Sequence, residues 1–257
     1  MNGLSLYAQG LAWTAVAAFA TWLLSLYLRD VSIVDSLWSL LFLLAACCYA
    51  LGAGQPGPRT PLILLLTGVW ALRLAVFITW RNWGHGEDRR YQAIRARNQP
   101  HFELKSLYLV FLLQAVLAWL ISLPLFGAIV SPGPPGALDV AGAALWLGGL
   151  VFEAGGDWQL ARFKADPGNQ GKVMDRGFWR LTRHPNYFGD FCVWWGFYAI
   201  AVSAGAWWSF PGPLLMSLLL MRVSGVTLLE KDIGERRPQY ADYVRRTNAF
   251  FPGLPKR

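Results

Sequence analysis

Between Arg180 and Asp190 the chain reads RLTRHPNYFGD, and the next residues, FCVWWGFY, are almost entirely apolar. Arg, His, Asn, Tyr and Asp are thus gathered at the edge of a hydrophobic run. Asn186 and Asp190 are four residues apart, as are Glu153 and Asp157 upstream, so on helices each pair shares a face. The connection between the pairs carries Arg162, Lys164, Lys172, Arg176, Arg180 and Arg183. Cations neutralise phosphates while Asn and Asp orient amides and hydroxyls, so this cluster suits a polyanionic ligand with a polar amide end. The competing reading is a set of buried ion pairs that fixes helix register.

The ligand must bind among the helices, because the chain has no GxGxxG sequence and no P-loop. Metal chemistry is not expected. The three His residues (His85, His101, His184) share no i, i+4 spacing, and Cys47, Cys48 and Cys192 form no CxxC pair and no disulfide framework.

Composition defines the setting for these groups. Hydrophobic residues make up 55% of the 257 and charged residues 15%, with fourteen Trp and a mean hydropathy of +0.34. These values describe a multi-pass membrane protein. Apolar windows long enough to cross a bilayer fall near 8–28, 32–51, 61–80, 107–130, 137–156, 187–208 and 212–230. The expected fold is an all-α bundle of seven transmembrane helices forming one domain, 1–257. The first window lacks a basic leader and is too long for a signal peptide, so it is expected to remain as a helix.

Basic residues give the orientation. Arg29 follows the first window, six lie in 81–106, six in 157–186 and seven in 231–257, whereas Arg59 stands alone on the opposite side. The positive-inside rule then puts the N-terminus outside and the C-terminus in the cytoplasm. The net charge of +8 is explained by these loops and requires no nucleic acid. The opposite connections, GAGQPGPRTP, SPGPPG and SFPGP, are Pro/Gly turns without room for a folded domain. Charges at bilayer depth are costly and mark candidate sites: Asp35, Arg73, Glu153, Asp157, Asp190, Arg222 and Glu230.

GFWRLTRHPNYFGD, followed by LLEKDIGERRPQYADYVRRTNAFFP, resembles the C-terminal half of the membrane steroid 5-alpha-reductases and sterol reductases, specifically over about 150–252. The similarity is greatest to the bacterial branch of 5-alpha-reductase-like membrane proteins. The resemblance implies NADPH in a cytoplasm-facing cavity and hydride delivery to a carbon–carbon double bond conjugated to a carbonyl. It makes 137–257 the cofactor-binding half and 1–130 the substrate side. The cofactor contacts it implies are Asp157, Lys164, Lys172, Arg183, His184, Asn186, Tyr187, Asp190, Glu230 and Tyr240, and the cation cluster adds Arg162 for a 2′-phosphate. The implied substrate is an apolar lipid, such as a 3-oxo-4-ene steroid or another isoprenoid enone. A bacterial inner membrane is expected in preference to the endoplasmic reticulum.

Steroid-reducing members of that family hold the substrate carbonyl with a Glu on the second span and a Tyr on the third. The positional counterparts here are Asp35 and Trp70, with Arg73 matching a basic residue one turn on. An indole donates an N–H but cannot deliver a proton as a phenol does. Tyr91, in GHGEDRRYQAIR (84–95), is an outside candidate for the missing donor. The same segment also reads as an exposed amphipathic helix.

An alternative reaction on the same scaffold is S-adenosylmethionine-dependent methyl transfer, because isoprenylcysteine and phospholipid methyltransferases also carry RHPxYxG before a span. The acid after the Gly and the single Glu230–Lys231 pair favour the reductase. Most of the Trp residues are expected at lipid interfaces or in packing, with Trp70, Trp179 and Trp194 as candidates to line a cavity. The VRRTNAFFP segment lies along the membrane surface or folds back onto the bundle.

Overall fold

The computed structural model describes residues 2–223 and 240–256. Glu230, expected to touch cofactor, lies outside the described residues, as does the end of the seventh apolar window. The described residues contain helices and no strand. Among the described residues, five helices are long and apolar enough to span a bilayer: α1 (Gly3–Leu28), α2 (Ile33–Gly52), α3 (Thr60–Asn82), α5 (Phe102–Ile121) and α7 (Ala137–Ala165). The remaining helices are α4 (Arg89–Arg97), α6 (Leu123–Val130), α8 (Phe178–Leu181), α9 (Pro185–Ser203), α10 (Pro211–Leu218) and α11 (Tyr240–Arg246).

Seven windows were expected; the two beyond these five are 187–208, which holds α9, and 212–230, which ends outside the described residues. α9 is long enough, but Asn186 and Asp190 in its opening turns lower its mean hydropathy. The window at 107–130 is not one rod: α5 begins earlier, at Phe102, contains a π turn over Leu107–Leu112, and stops at Ser122 before Pro124. Proline lacks the amide that would continue the ladder.

The chain divides into two compact units, 1–135 with 204–209, and 136–203 with 210–257. In the first unit, α1 packs on α2 and α5, and α2 packs on α3. Asn2 caps α1 by accepting from the Ser5 amide at 2.8 Å. Tyr7 and Trp119 clasp α1 to α5: each ring donates to the other's carbonyl, at 2.8 and 2.9 Å, with centroids 4.6 Å apart. At the far turn, Arg59 is 1% exposed and donates to the carbonyls of Gly133 and Pro134 at 2.7 Å each. A buried guanidinium is thereby satisfied by backbone.

In the second unit α7 and α9 meet along a seam of glycines. A Cβ added at Gly189 would lie 2.4 Å from the Glu153 amide nitrogen and 2.5 Å from the Gly149 carbonyl. One added at Gly196 would lie 2.7 Å from the Gly142 carbonyl. Small residues let two backbones approach in lipid, where packing has to replace the hydrophobic drive. The seam sets the separation at which Glu153 and Asp157 on α7 stand beside Asn186 and Asp190 on α9.

Candidate functional site

The first unit builds a polar cluster where α1, α2, α4 and α5 end or begin. α1 stops at Arg29, which has φ 56°. In the following turn the Asp30 carboxylate accepts from the Ser32 amide at 2.8 Å and from the Ser32 hydroxyl. α2 starts at once and carries Asp35 in its first turn. α4 is fastened over this turn. The Val31 amide donates to Glu87 at 3.0 Å and the Asp88 amide to the Ser32 hydroxyl at 3.2 Å. Arg95 grips both oxygens of Glu87, at 2.8 and 2.9 Å, and reaches Glu103 at 3.1 Å.

With α4 held there, Tyr91 (6% exposed) donates its phenolic hydrogen to Asp35 Oδ1 at 2.5 Å. Arg90 donates to Asp35 Oδ2 at 2.6 Å and to Asp88 at 3.0 Å. Gln114 Nε2 lies 3.3 Å from the phenol oxygen. Since the only phenolic proton goes to Asp35, that oxygen must accept, which fixes the Gln114 amide with nitrogen toward Tyr91. Gln114 Oε1 is left buried without a hydrogen-bond partner among the described residues.

Burial raises the Tyr91 phenol well above its ordinary value, and the charge and hydrogen bond of Asp35 raise it further. The phenol therefore stays protonated. For Arg90 burial opposes the charge, but Asp35 and Asp88 outweigh it and the guanidinium is held more firmly than usual. A neutral donor, a carboxylate and a fixed cation in contact can polarise a carbonyl and pass a proton to it.

Asp35 is the expected catalytic residue that enters this cluster. Trp70 is fully buried on α3, edge-on to Phe42 with centroids 5.6 Å apart. Phe42 is seven residues along α2 from Asp35, roughly 10 Å deeper at the helical rise. The Arg73 guanidinium lies over the Phe77 ring at 5.6 Å. Arg90 and Gln114 were missed by sequence reasoning. Gln114 had a signal, as the one strongly polar side chain in LYLVFLLQAVLAWLI, but it is not ionisable and so escaped a search for charges.

The second unit assembles the other set. Asn186 Nδ2 donates to Asp157 Oδ1 at 3.1 Å, joining α9 to α7. Glu153, Asp157, Asp190, His184 and Arg183 are all buried. His184 stacks on Tyr187 with centroids 5.7 Å apart. Arg183 donates to the carbonyls of Val244 (3.2 Å) and Thr247 (2.7 Å), and its amide donates to Asn248 O at 2.9 Å. Thr182 donates to Phe250 O at 2.8 Å, and Tyr243 to Trp179 O at 2.5 Å. The Thr182–Arg183 pair thus ties the C-terminal segment down, and brings Tyr240 into a buried position next to Tyr243, ring centroids 5.8 Å apart. Arg162 and Lys164 in the last turn of α7, and Lys172, Arg176 and Arg180 between α7 and α9, are exposed, and Arg162 lies over the Trp158 ring at 5.4 Å. No group of His, Cys, Asp and Glu that could hold a metal occurs among the described residues.

A seam-packed α-helical membrane protein with a phenol–carboxylate cluster and a basic, amide-bearing connection is the class that the coordinates define. The family described as "Protein of unknown function (DUF1295)" matches residues 21–247, and the chain belongs to it. The chain is also similar to an uncharacterized protein of Schizosaccharomyces pombe, at 25% identity over 96% of this chain and 80% of that protein. No solved structure matches.

Proposed function

We propose that this protein is an NADPH-dependent membrane reductase that saturates a carbon–carbon double bond conjugated to a carbonyl in an apolar lipid. The observation that carries this reading is the buried, protonated Tyr91 phenol held on Asp35 beside Arg90. It provides in the first unit the proton donor that Trp70 cannot supply. The resemblance of GFWRLTRHPNYFGD to the 5-alpha-reductases supports the same reading, as does membership of a family that falls with them.

The donor set of the second unit fits a phosphate-rich dinucleotide. Arg162, Lys164 and Lys172 are exposed cations suited to phosphates, and the Asn186–Asp157 pair suits a carboxamide. His184, Tyr187, Asp190 and Tyr240 complete the proposed pocket. NADPH, when bound, supplies a hydride. As negative charge builds on the substrate's carbonyl oxygen, Tyr91 turns its O–H from Asp35 to that oxygen and releases the proton to it. Arg90 holds the Asp35 carboxylate in place through their ion pair, and Gln114 steadies the phenol oxygen. A solvent proton restores Tyr91, so one hydride and one proton are added overall. The bias of basic residues toward one set of loops supports cofactor binding from the cytoplasm, where NADPH is available.

Turnover of a long-chain cyclic enone by purified protein, followed as NADPH consumption, tests the reading. Consumption that depends on enone and is lost in Tyr91→Phe is expected. Wild-type protein that binds NADPH yet reduces no enone would overturn the assigned reaction.

A further inference from the structure

The first unit holds a second polar feature, a cavity of about 360 Å³ lined by Ser25, Leu26, Arg29, Val31, Arg95, Glu103 and Ser106. It lies where α1 ends and α5 begins, at the level of the basic loops, which is headgroup depth for two membrane-spanning helices. Arg29 is in the left-handed region at φ 56°, a conformation usually left to glycine at a helix end. Its side chain is exposed and has no hydrogen-bond or ion-pair partner among the described residues. A cation is kept at a backbone position that glycine would fill with less strain.

The other polar groups of the lining are acceptors. Ser25 has given its hydroxyl hydrogen to Trp22 O at 2.7 Å, and Ser106 has given its own to Glu103 O at 2.7 Å. Each keeps a free lone pair. The Glu103 side chain is 58% exposed and bonds Arg95 through one oxygen at 3.1 Å, so its second oxygen remains available. Arg95 is already committed to Glu87 and Glu103. The cavity therefore presents one cation that is free among the described residues and one exposed carboxylate, Glu103, with the buried Ser25 and Ser106 hydroxyl oxygens behind it.

We infer that this cavity binds the headgroup of a zwitterionic phospholipid bearing a primary ammonium, an aminoalkyl phosphate. Arg29 takes the phosphate, while the exposed Glu103 carboxylate takes the ammonium hydrogens. A quaternary ammonium has no N–H to give that carboxylate, and a glycerol headgroup leaves the Glu103 charge without a counter-ion. The site shares Val31, Arg95 and Glu103 with the anchor of α4 but includes neither Tyr91 nor Asp35, and it does not rest on the reductase reading.

Native mass spectrometry of the full chain in detergent tests it, with phosphatidylethanolamine, phosphatidylcholine and phosphatidylglycerol of matched acyl chains supplied together. Retention of the ethanolamine lipid about tenfold above the other two is expected, the ratio that one charge-assisted contact provides. Arg29→Gly relieves the positive φ and should be at least as thermostable as wild type, yet lose that retention. Arg29→Ala should lose it too. Glu103→Gln should retain the ethanolamine and glycerol lipids equally. Soluble phosphoethanolamine should displace the lipid and phosphocholine should not, if the headgroup is what is recognised. Equal retention of the three lipids, or undiminished retention in both Arg29 variants, would overturn the assignment.

Discussion

Tyr91 donates its phenolic hydrogen to Asp35 across 2.5 Å, although 56 positions separate them in the chain. α4 brings them together through Glu87, Arg95 and Asp88, which fasten it to the Asp30–Ser32 turn. Replacing Tyr91 by Phe removes the proton donor and leaves the Arg90–Asp35 ion pair. Turnover should fall by about 100-fold or more, the usual contribution of a positioned general acid. NADPH affinity should be unchanged. Steady-state rates alongside a cofactor titration check this, and equal rates would remove Tyr91 from the chemistry.

Two side chains of the α4 anchor give stability opposite pH dependences. Tyr91 is raised in the folded state, so its contribution is complete below about pH 10 and is lost as pH climbs toward the folded value. Burial opposes the ionisation of Glu87, but hydrogen bonds from Arg95 and the Val31 amide, with the Arg95 charge, hold its carboxyl below the usual range. Its contribution is present above about pH 4.5 and lost as pH falls through the folded value. Thermal unfolding against pH should show Tyr91→Phe with a reduced alkaline decline and Glu87→Gln with a reduced acid decline. Parallel profiles for wild type and variants would contradict both assignments.

Gln114→Met separates positioning from packing. The variant gives up a long 3.3 Å hydrogen bond but also removes a buried acceptor that has no donor among the described residues. Stability should change by less than about 1 kcal/mol, since an unmet buried carbonyl is itself costly. Turnover should drop while NADPH affinity holds. A variant as active as wild type would mean that the phenol needs no second partner.

The glycine seam is a test of the second unit. An alanine at Gly189 places its Cβ 2.4 Å from backbone that cannot move aside. A loss of about 1–3 kcal/mol is expected, as for overpacking in cores. Gly148 faces open space, so alanine there should be neutral or slightly stabilising. Detergent-solubilised thermal unfolding of the two variants makes the comparison.

Much of this architecture can be read from the chain, and the exceptions have physical reasons. The apolar windows delimit α2 and α3 within two residues, because lipid demands uninterrupted apolar length, whereas α1 starts five residues before its window and α7 runs nine residues past its own. The i, i+4 pairs on α7 and α9 correctly imply shared faces, and Asn186 meets Asp157. The glycines at 142, 149 and 156, facing 189 and 196, had a visible seven-residue spacing, but spacing alone cannot say which helix is the partner. The Asp35–Tyr91 contact was legible only as two separate candidates. Its cause is a tertiary clamp of side-chain and backbone hydrogen bonds between loops, and no local periodicity records that. Arg183 reads in the sequence as one more phosphate ligand, and the fold shows it holding the carbonyls of Val244 and Thr247.

The central claim is that the second unit takes a reduced nicotinamide dinucleotide, and the nucleotide retained through purification in mild detergent tests it most directly. Mass spectrometry of denatured wild-type protein should release NADPH or NADP, and Asn186→Ala, folded and extractable, should release neither. Release of S-adenosylmethionine or S-adenosylhomocysteine, with no binding of added NADPH, would contradict the account and make the protein a methyltransferase.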